Sequence, residues 1–237
     1  MDSSARQLDD AGGAAGTPNL IQRVIMVFMS PTRLGEVLRR QSPWFWTLAI
    51  VALFSLVMLL VPAEVWEASL EAQMRARDQG QGPDMETALK FARYGATVFG
   101  LVGTFVFAAL IAGVLYLAFN VMLGAESTYK QHLSATAHIY WINTLGFLLL
   151  VPIWISRTDM QTQLGLGLLL PDAPSSFVGH FINSITIFGL WSSAALGAIE
   201  SGLSGGRISI GKSIGVVLAL YLVSAIVRGG LAGLGAG

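Results

Sequence analysis

Residues 44–61 read WFWTLAIVALFSLVMLLV, eighteen positions without a charged side chain, introduced by Ser42-Pro43. A helix of that length and composition is long enough to cross the ~30 Å hydrocarbon layer of a bilayer. Ser-Pro is a helix-start signal, with a capping hydroxyl followed by a proline whose fixed φ suits the first turn. Trp44 and Trp46 at one end and Trp66 just past the other match the aromatic belts of the two membrane interfaces. The composition of the whole chain agrees. Of 237 residues, 54% are hydrophobic and only 12% charged, about half the charge of an ordinary soluble domain.

Working outward from this span, four more apolar stretches predict spans at about 96–123, 133–155, 178–199 and 213–234. The expected fold is therefore all-α: a polytopic membrane protein, with a bundle of five transmembrane helices over residues 42–237. Residues 1–18, rich in Asp, Gly, Ala and Ser and lacking an apolar run, read as a disordered cytoplasmic tail and not as a cleaved signal peptide. Residues 19–41 read as a short cytoplasmic amphipathic segment. There Leu20, Ile21, Val24, Val27 and Phe28 fall at helical spacing, and Ser30-Pro31 opens a second short helix carrying Arg33, Arg39 and Arg40. Two placements fit this segment: in the headgroup plane, or packed on the cytoplasmic end of the bundle.

Between the first two spans, Glu64, Glu67 and Glu71 precede Arg75 and Arg77, the charge order that complements a helix dipole. Gly80-Gln-Gly82-Pro83 breaks that helix, and a new one starts from Asp84.

Orientation follows from Lys and Arg in the flanks. Arg6, Arg23, Arg33, Arg39, Arg40, Lys130, Arg207 and Lys212 fall on one side, against Arg75, Arg77, Lys90, Arg93, Arg157 and Arg228. The excess places the N-terminus in the cytoplasm and, after five spans, the C-terminus outside the cell (inner) membrane. The 14 basic and 14 acidic side chains balance, so nothing overall attracts nucleic acid. The absence of cysteine excludes disulfides, thiolate metal sites and thiol catalysis.

Hydrophobicity cannot hold helices together in lipid, so small residues must allow close approach. Gly189, Ser193, Gly197, Ser201 and Gly205 recur every fourth residue on the fourth span, Gly211, Gly215 and Ala219 on the fifth, and Gly100, Thr104, Ala108 and Ala112 on the second. These stripes predict a compact bundle.

Chemistry is harder to find. His138 and His180 fall near opposite membrane faces, roughly 20 Å apart, so they cannot share a metal. Ser201 and Ser204 could approach His138, but no Gly-x-Ser-x-Gly, His-Glu-x-x-His or phosphate-loop motif is present. No catalytic residue, cofactor or metal site is expected. Asn120, Glu126, Lys130, His132, His138, Glu200 and Arg207 form a candidate polar cluster at the cytoplasmic mouth, read as salt bridges tying helix ends in preference to a substrate or proton site. Gly202 to Gly206 reads as a tight turn.

Three blocks carry a family resemblance: the run from Ile21 through Ser30-Pro31-Thr32 to Leu34, the loop Leu123 to Ala137 with Gly124, Tyr129-Lys130-Gln131 and Ser134, and Ile187-Phe-Gly-Leu-Trp191. In order and spacing they resemble bacterial members of the YIP family, five-span relatives of the Ypt/Rab-interacting membrane proteins. The resemblance implies a five-helix domain with a cytoplasmic N-terminus and no catalytic residue. In eukaryotic relatives it implies membrane traffic and contact with small GTPases; the Asp-Leu-x-Gly-Pro type motif of those relatives is absent here. The expected function is a non-enzymatic, membrane-organising or partner-recruiting scaffold whose Arg33, Arg39 and Arg40 face the lipid bilayer, other membrane proteins or a second copy of itself. The alternative is a small transporter or channel subunit using polar residues of spans three and four, such as Asn143 and Asn183, with an intramembrane enzyme more distant.

Overall fold

The structure, a computed structural model, describes residues 17–76, 84–169 and 177–234. The expected N-terminal tail up to residue 16, the break at Gly80 to Pro83 and the end of the glycine-rich C-terminus lie outside the described residues. Within them nine α-helices follow one another: α1 (Leu20–Met29), α2 (Pro31–Arg40), α3 (Phe45–Leu53), α4 (Ala63–Ala76), α5 (Met85–Tyr116), α6 (Tyr129–Arg157), α7 (Phe177–Asn183), α8 (Ile187–Leu203) and α9 (Ile210–Leu234). A 3-10 helix, Phe54–Leu60, continues α3, and a π-helical turn, Leu117–Met122, continues α5. The end of the bundle carrying Trp44, Tyr129 and Leu203 is here the near end, and that carrying Leu60, Met85 and Arg157 the far end.

Three helices are long and apolar enough to cross a membrane by themselves: Met85–Met122, Tyr129–Arg157 and Ile210–Gly230. The stretch that opened the sequence reading crosses in a different way. Phe45–Leu60 passes from α-helix to 3-10 helix and then turns through 89° into α4, so that it counts as a fourth span only as a bent unit. The 3-10 segment has a mechanical consequence. At about 2.0 Å rise per residue against about 1.5 Å for the α-helix, sixteen residues extend to roughly 27 Å, close to the hydrocarbon thickness.

The expected fourth span, 178–199, is not one helix. It divides into α7 and α8 at Ser184-Ile185-Thr186, and α8 alone runs to Leu203. The fold therefore contains three to four candidate spans by length and composition, where five were expected. The helix of the second expected span starts at Met85, about three turns before residue 96, where Asp84 caps the Thr87 N–H at 2.9 Å and Lys90 pairs with Glu86 across one turn. Ser42 does not cap the helix that follows. Its hydroxyl donates back to Leu38 O of α2, and helix α3 begins at Phe45.

The break between α7 and α8 exposes backbone groups that a lipid environment cannot satisfy, so neighbouring protein must do so. Tyr221 of α9 supplies both roles: its hydroxyl donates to Ser184 O and accepts from Thr186 N, each at 3.0 Å. Residues 164–166 complete the repair, with Leu166 N donating to Ile185 O and Ile187 N to Leu164 O. With its break sealed in this way, α7–α8 runs alongside the whole of α9. Tyr221→Phe removes the hydroxyl and orphans both backbone groups. Since an unsatisfied buried partner costs about 1–3 kcal/mol, we expect a lower unfolding temperature in detergent and faster hydrogen exchange confined to residues 184–187.

Glycines set the closest crossings. A side chain on Gly35 or Gly202 would strike the backbone of the other helix, so α2 lies against α8 backbone to backbone. Gly197 lies against the backbone of α9 at Ile214, and Gly100 against Ser55. Gly189 faces the Tyr221 ring. The stripe on α9 behaves differently from expectation: among the described residues, nothing lies within 4 Å of a side chain added at Gly211 or Gly215. The face of α9 turned to the bundle carries Ser213, Val217 and Ala225, all buried. Gly211 and Gly215 are two residues out of step with it, about 200° around the helix. Ser193 is buried in α8.

The main apolar core sits toward the near end, where Leu34 and Leu38 of α2 meet Phe119, Ile139 and Ile199. The outward row Val98, Val102, Val106 and Leu110 of α5 is exposed, as expected of a lipid-facing surface.

Candidate functional site: a buried polar cluster at the near end

Asn120 stands on the π-helical turn that ends α5 and reaches the loop that leads into α6. Its Oδ1 accepts the Ser127 N–H at 3.2 Å and its Nδ2 donates to Ser127 O. This clamps a tight turn in which Gly124 and Glu126 both take left-handed backbone, with φ of 69° and 56°. The turn ends in a reciprocal cap, Thr128 with Gln131, that starts α6. One turn along, His132 reaches back: its Nε2 lies 3.3 Å from Asn120 Oδ1 and its Nδ1 2.9 Å from Glu200 Oε2 of α8. His132 and Glu200 are completely buried, at 0% and 1% side-chain exposure.

One proton can be placed by elimination. Asn120 Oδ1 can only accept, so His132 Nε2 carries a hydrogen. The contact between Nδ1 and Oε2 is close but not aligned as a hydrogen bond, and Glu200 Oε1 has no partner among the described residues. Tyr116 and Phe119 close over the imidazole, with ring centroids 6.0 and 6.4 Å away. A carboxyl group kept this dry must be held by its neighbours, because an unpaired buried charge is costly.

The expected polar cluster thus divides into two parts, with His138 and Lys130 apart from both. Asn120, His132 and Glu200 form the buried chain. Glu126 and Arg207 form a separate ion pair on the surface, tying the α5–α6 turn to the α8–α9 turn, where Gly205 and Gly206 both have positive φ. The Arg207 guanidinium holds the Glu126 carboxyl below the ordinary carboxylate range. His138 belongs to neither part. Its Nδ1 donates to Ser134 O at 2.7 Å and its Nε2 accepts from Arg23 Nε at 3.2 Å, which makes it a neutral imidazole that fastens α1 to α6. Lys130 is exposed at the start of α6. Ser201 and Ser204 do not approach His138; their hydroxyls donate to Ile208 O and Ser201 O.

The three arginines of α2 are all exposed but do not share a face. Arg33 and Arg40, two turns apart, line a groove of about 490 Å³ between α1 and α2 together with Gln22, Met26 and Glu36. Arg39 turns to the other side, its guanidinium over Gly205, while its carbonyl accepts from Gln131 at 2.7 Å. Along α1, Ile21, Ile25 and Met29 form an exposed apolar stripe, 71, 54 and 79% accessible.

Sequence reasoning passed over Gly35, Gly202, Arg23 and Tyr221 as architectural residues. Gly35 carried a signal, a lone glycine inside an otherwise strong helical pattern. Arg23 and Tyr221 carried none, since their partners lie 115 and 35–37 residues away.

Fold and cluster together define an all-helical polytopic membrane protein whose near end is sewn together by buried polar contacts. The model of the Yip1 domain matches residues 25–228, and the chain belongs to that family. Among curated proteins, the membrane protein YknW of Bacillus subtilis (strain 168) is 26% identical over 219 residues, spanning 92% of this chain and 90% of its own length. No solved structure matches the chain.

Proposed function

We propose that this Yip1-family protein is a non-enzymatic scaffold of the cell (inner) membrane that presents α1 and α2 as a fixed platform at the cytoplasmic face. The orientation rests on the Lys and Arg excess at the near end, and the C-terminus then lies outside. The observation that carries the reading is the glycine crossing of α2 on α8: a basic helix is held by backbone contact at one membrane face, beside the apolar stripe of α1. Ile21, Ile25 and Met29 would sit among acyl chains while Arg33 and Arg40 meet anionic headgroups or an acidic partner surface, the geometry of an interfacial helix. Each such arginine contributes about 1 kcal/mol near an anionic surface.

The combined R33A, R39A and R40A variant should therefore lose severalfold in anionic lipid and partner proteins that co-purify from native membranes, with unchanged expression and melting. An identical co-purification profile would overturn the reading. A channel or transporter using Asn143 and Asn183 receives less support, because Asn143 lines cavities between helices whereas Asn183 packs on Gly167.

A further inference from the structure

A cavity of about 650 Å³ opens between α5, α6, α8 and α9, away from the buried cluster. Along α6 it runs from Thr136 to Leu150, about 21 Å at the rise of an α-helix, more than one leaflet of a ~30 Å hydrocarbon core. Its α5 wall, Leu110, Ile111 and Val114, is apolar and partly open to the lipid side. The opposite wall carries hydroxyls, including Ser192 and Ser224. At the far end stands Arg228. Its Nε donates to Ser224 O at 3.3 Å and its guanidinium lies 5.9 Å from the Tyr221 ring centroid. Its two terminal nitrogens have no acceptor among the described residues, and no Asp or Glu lines the cavity.

We propose that this cavity is a binding site for one anionic phospholipid of the far leaflet, with its phosphate on Arg228 and one acyl chain laid along the α5 wall. Charge complementarity selects the occupant. A lone cation at the headgroup end of a mostly apolar cleft with no other charged side chain in its lining fits an amphiphile with a negative head, and a guanidinium can hold a phosphate through two parallel N–H bonds. A soluble anion would gain the arginine but not the apolar wall; a zwitterionic lipid would gain the wall but less from the arginine.

The test is native mass spectrometry of the full chain released from detergent with phosphatidylglycerol or phosphatidylcholine added. One phosphatidylglycerol per protein should survive at concentrations where phosphatidylcholine retention is at least tenfold lower. Arg228→Gln should bring phosphatidylglycerol down to the phosphatidylcholine level. Val114→Trp, placed on the half-exposed side of α5 so that the bundle is spared, should abolish retention of both lipids. Equal retention of the two lipids by the unaltered protein, or undiminished phosphatidylglycerol in either variant at unchanged melting temperature, would overturn the proposal.

Discussion

Gly202→Leu should detach α2 from the bundle. The side chain at this position would meet Thr32 O first, and then Glu36 N and Gly35 Cα, both at 3.0 Å. All of these are backbone atoms of α2, so no rotamer change on either helix can relieve the clash. Overpacking of a core side chain costs about 1–3 kcal/mol because neighbours can still adjust; here the adjustment must be the separation of two helices, and the cost should reach or exceed the upper end of that range. What α2 would surrender is considerable. Leu34 and Leu38 are fully buried against α8 and the α5 end, and burial of a leucine contributes about 1.5–3 kcal/mol. The expected outcome is therefore a local release, with α1 and α2 becoming sensitive to protease while α5, α6 and α9 keep their helicity. Gly35→Leu should reproduce it from the other side, since its side chain would meet Ile199 O and then Gly202 Cα at 2.9 Å. If both variants kept α2 protected and melted like the parent, the close crossing would have no energetic weight, and the fixed platform proposed above would lose its support.

How much of this was legible beforehand depends on the kind of interaction. Composition alone announced an all-helical membrane protein, because a charge-poor apolar run has one solvent that suits it. It could not announce that 44–61 crosses partly as a 3-10 helix or that 178–199 is broken. In both, hydropathy reports the solvent of a segment and says nothing of its backbone hydrogen bonds, which at the 184–186 break are completed by Tyr221 and by residues 164–166. Small-residue spacing was informative on α8, where Gly197 meets a neighbouring backbone, and misleading on α9. A stripe of glycines marks where helices could approach, and Gly211 and Gly215 occupy a face that no helix takes among the described residues. For the polar cluster, the sequence supplied the members but not the partition. Asn120 reaches His132 from the π-helical turn and His132 meets Glu200 across helices, contacts that no local pattern foretells, and His138 was withdrawn by an arginine that no local pattern connects to it.

That partition yields the second large effect. Glu200→Ala leaves His132 Nδ1 buried without a counterpart, and His132→Ala does the same to a carboxyl group whose second oxygen already has no partner. Breaking a buried pair by removing one member costs about 3–5 kcal/mol, whereas replacing both by apolar groups of similar volume is often neutral or stabilising. Either single variant should thus melt far below the parent in detergent, and the double variant Glu200→Leu with His132→Leu should recover most of the loss. The recovery separates stability from function. If the double variant is stable and still gathers the same lipids and proteins, the pair is structural, a lock between α6 and α8. If it is stable yet has lost them, the buried pair serves the platform's activity as well as its stability, and Asn120→Leu, which removes the Nε2 partner and the clamp on Ser127, should then impair the same function. Single variants that melt like the parent would mean that water reaches the pair, contrary to its burial beneath Tyr116 and Phe119.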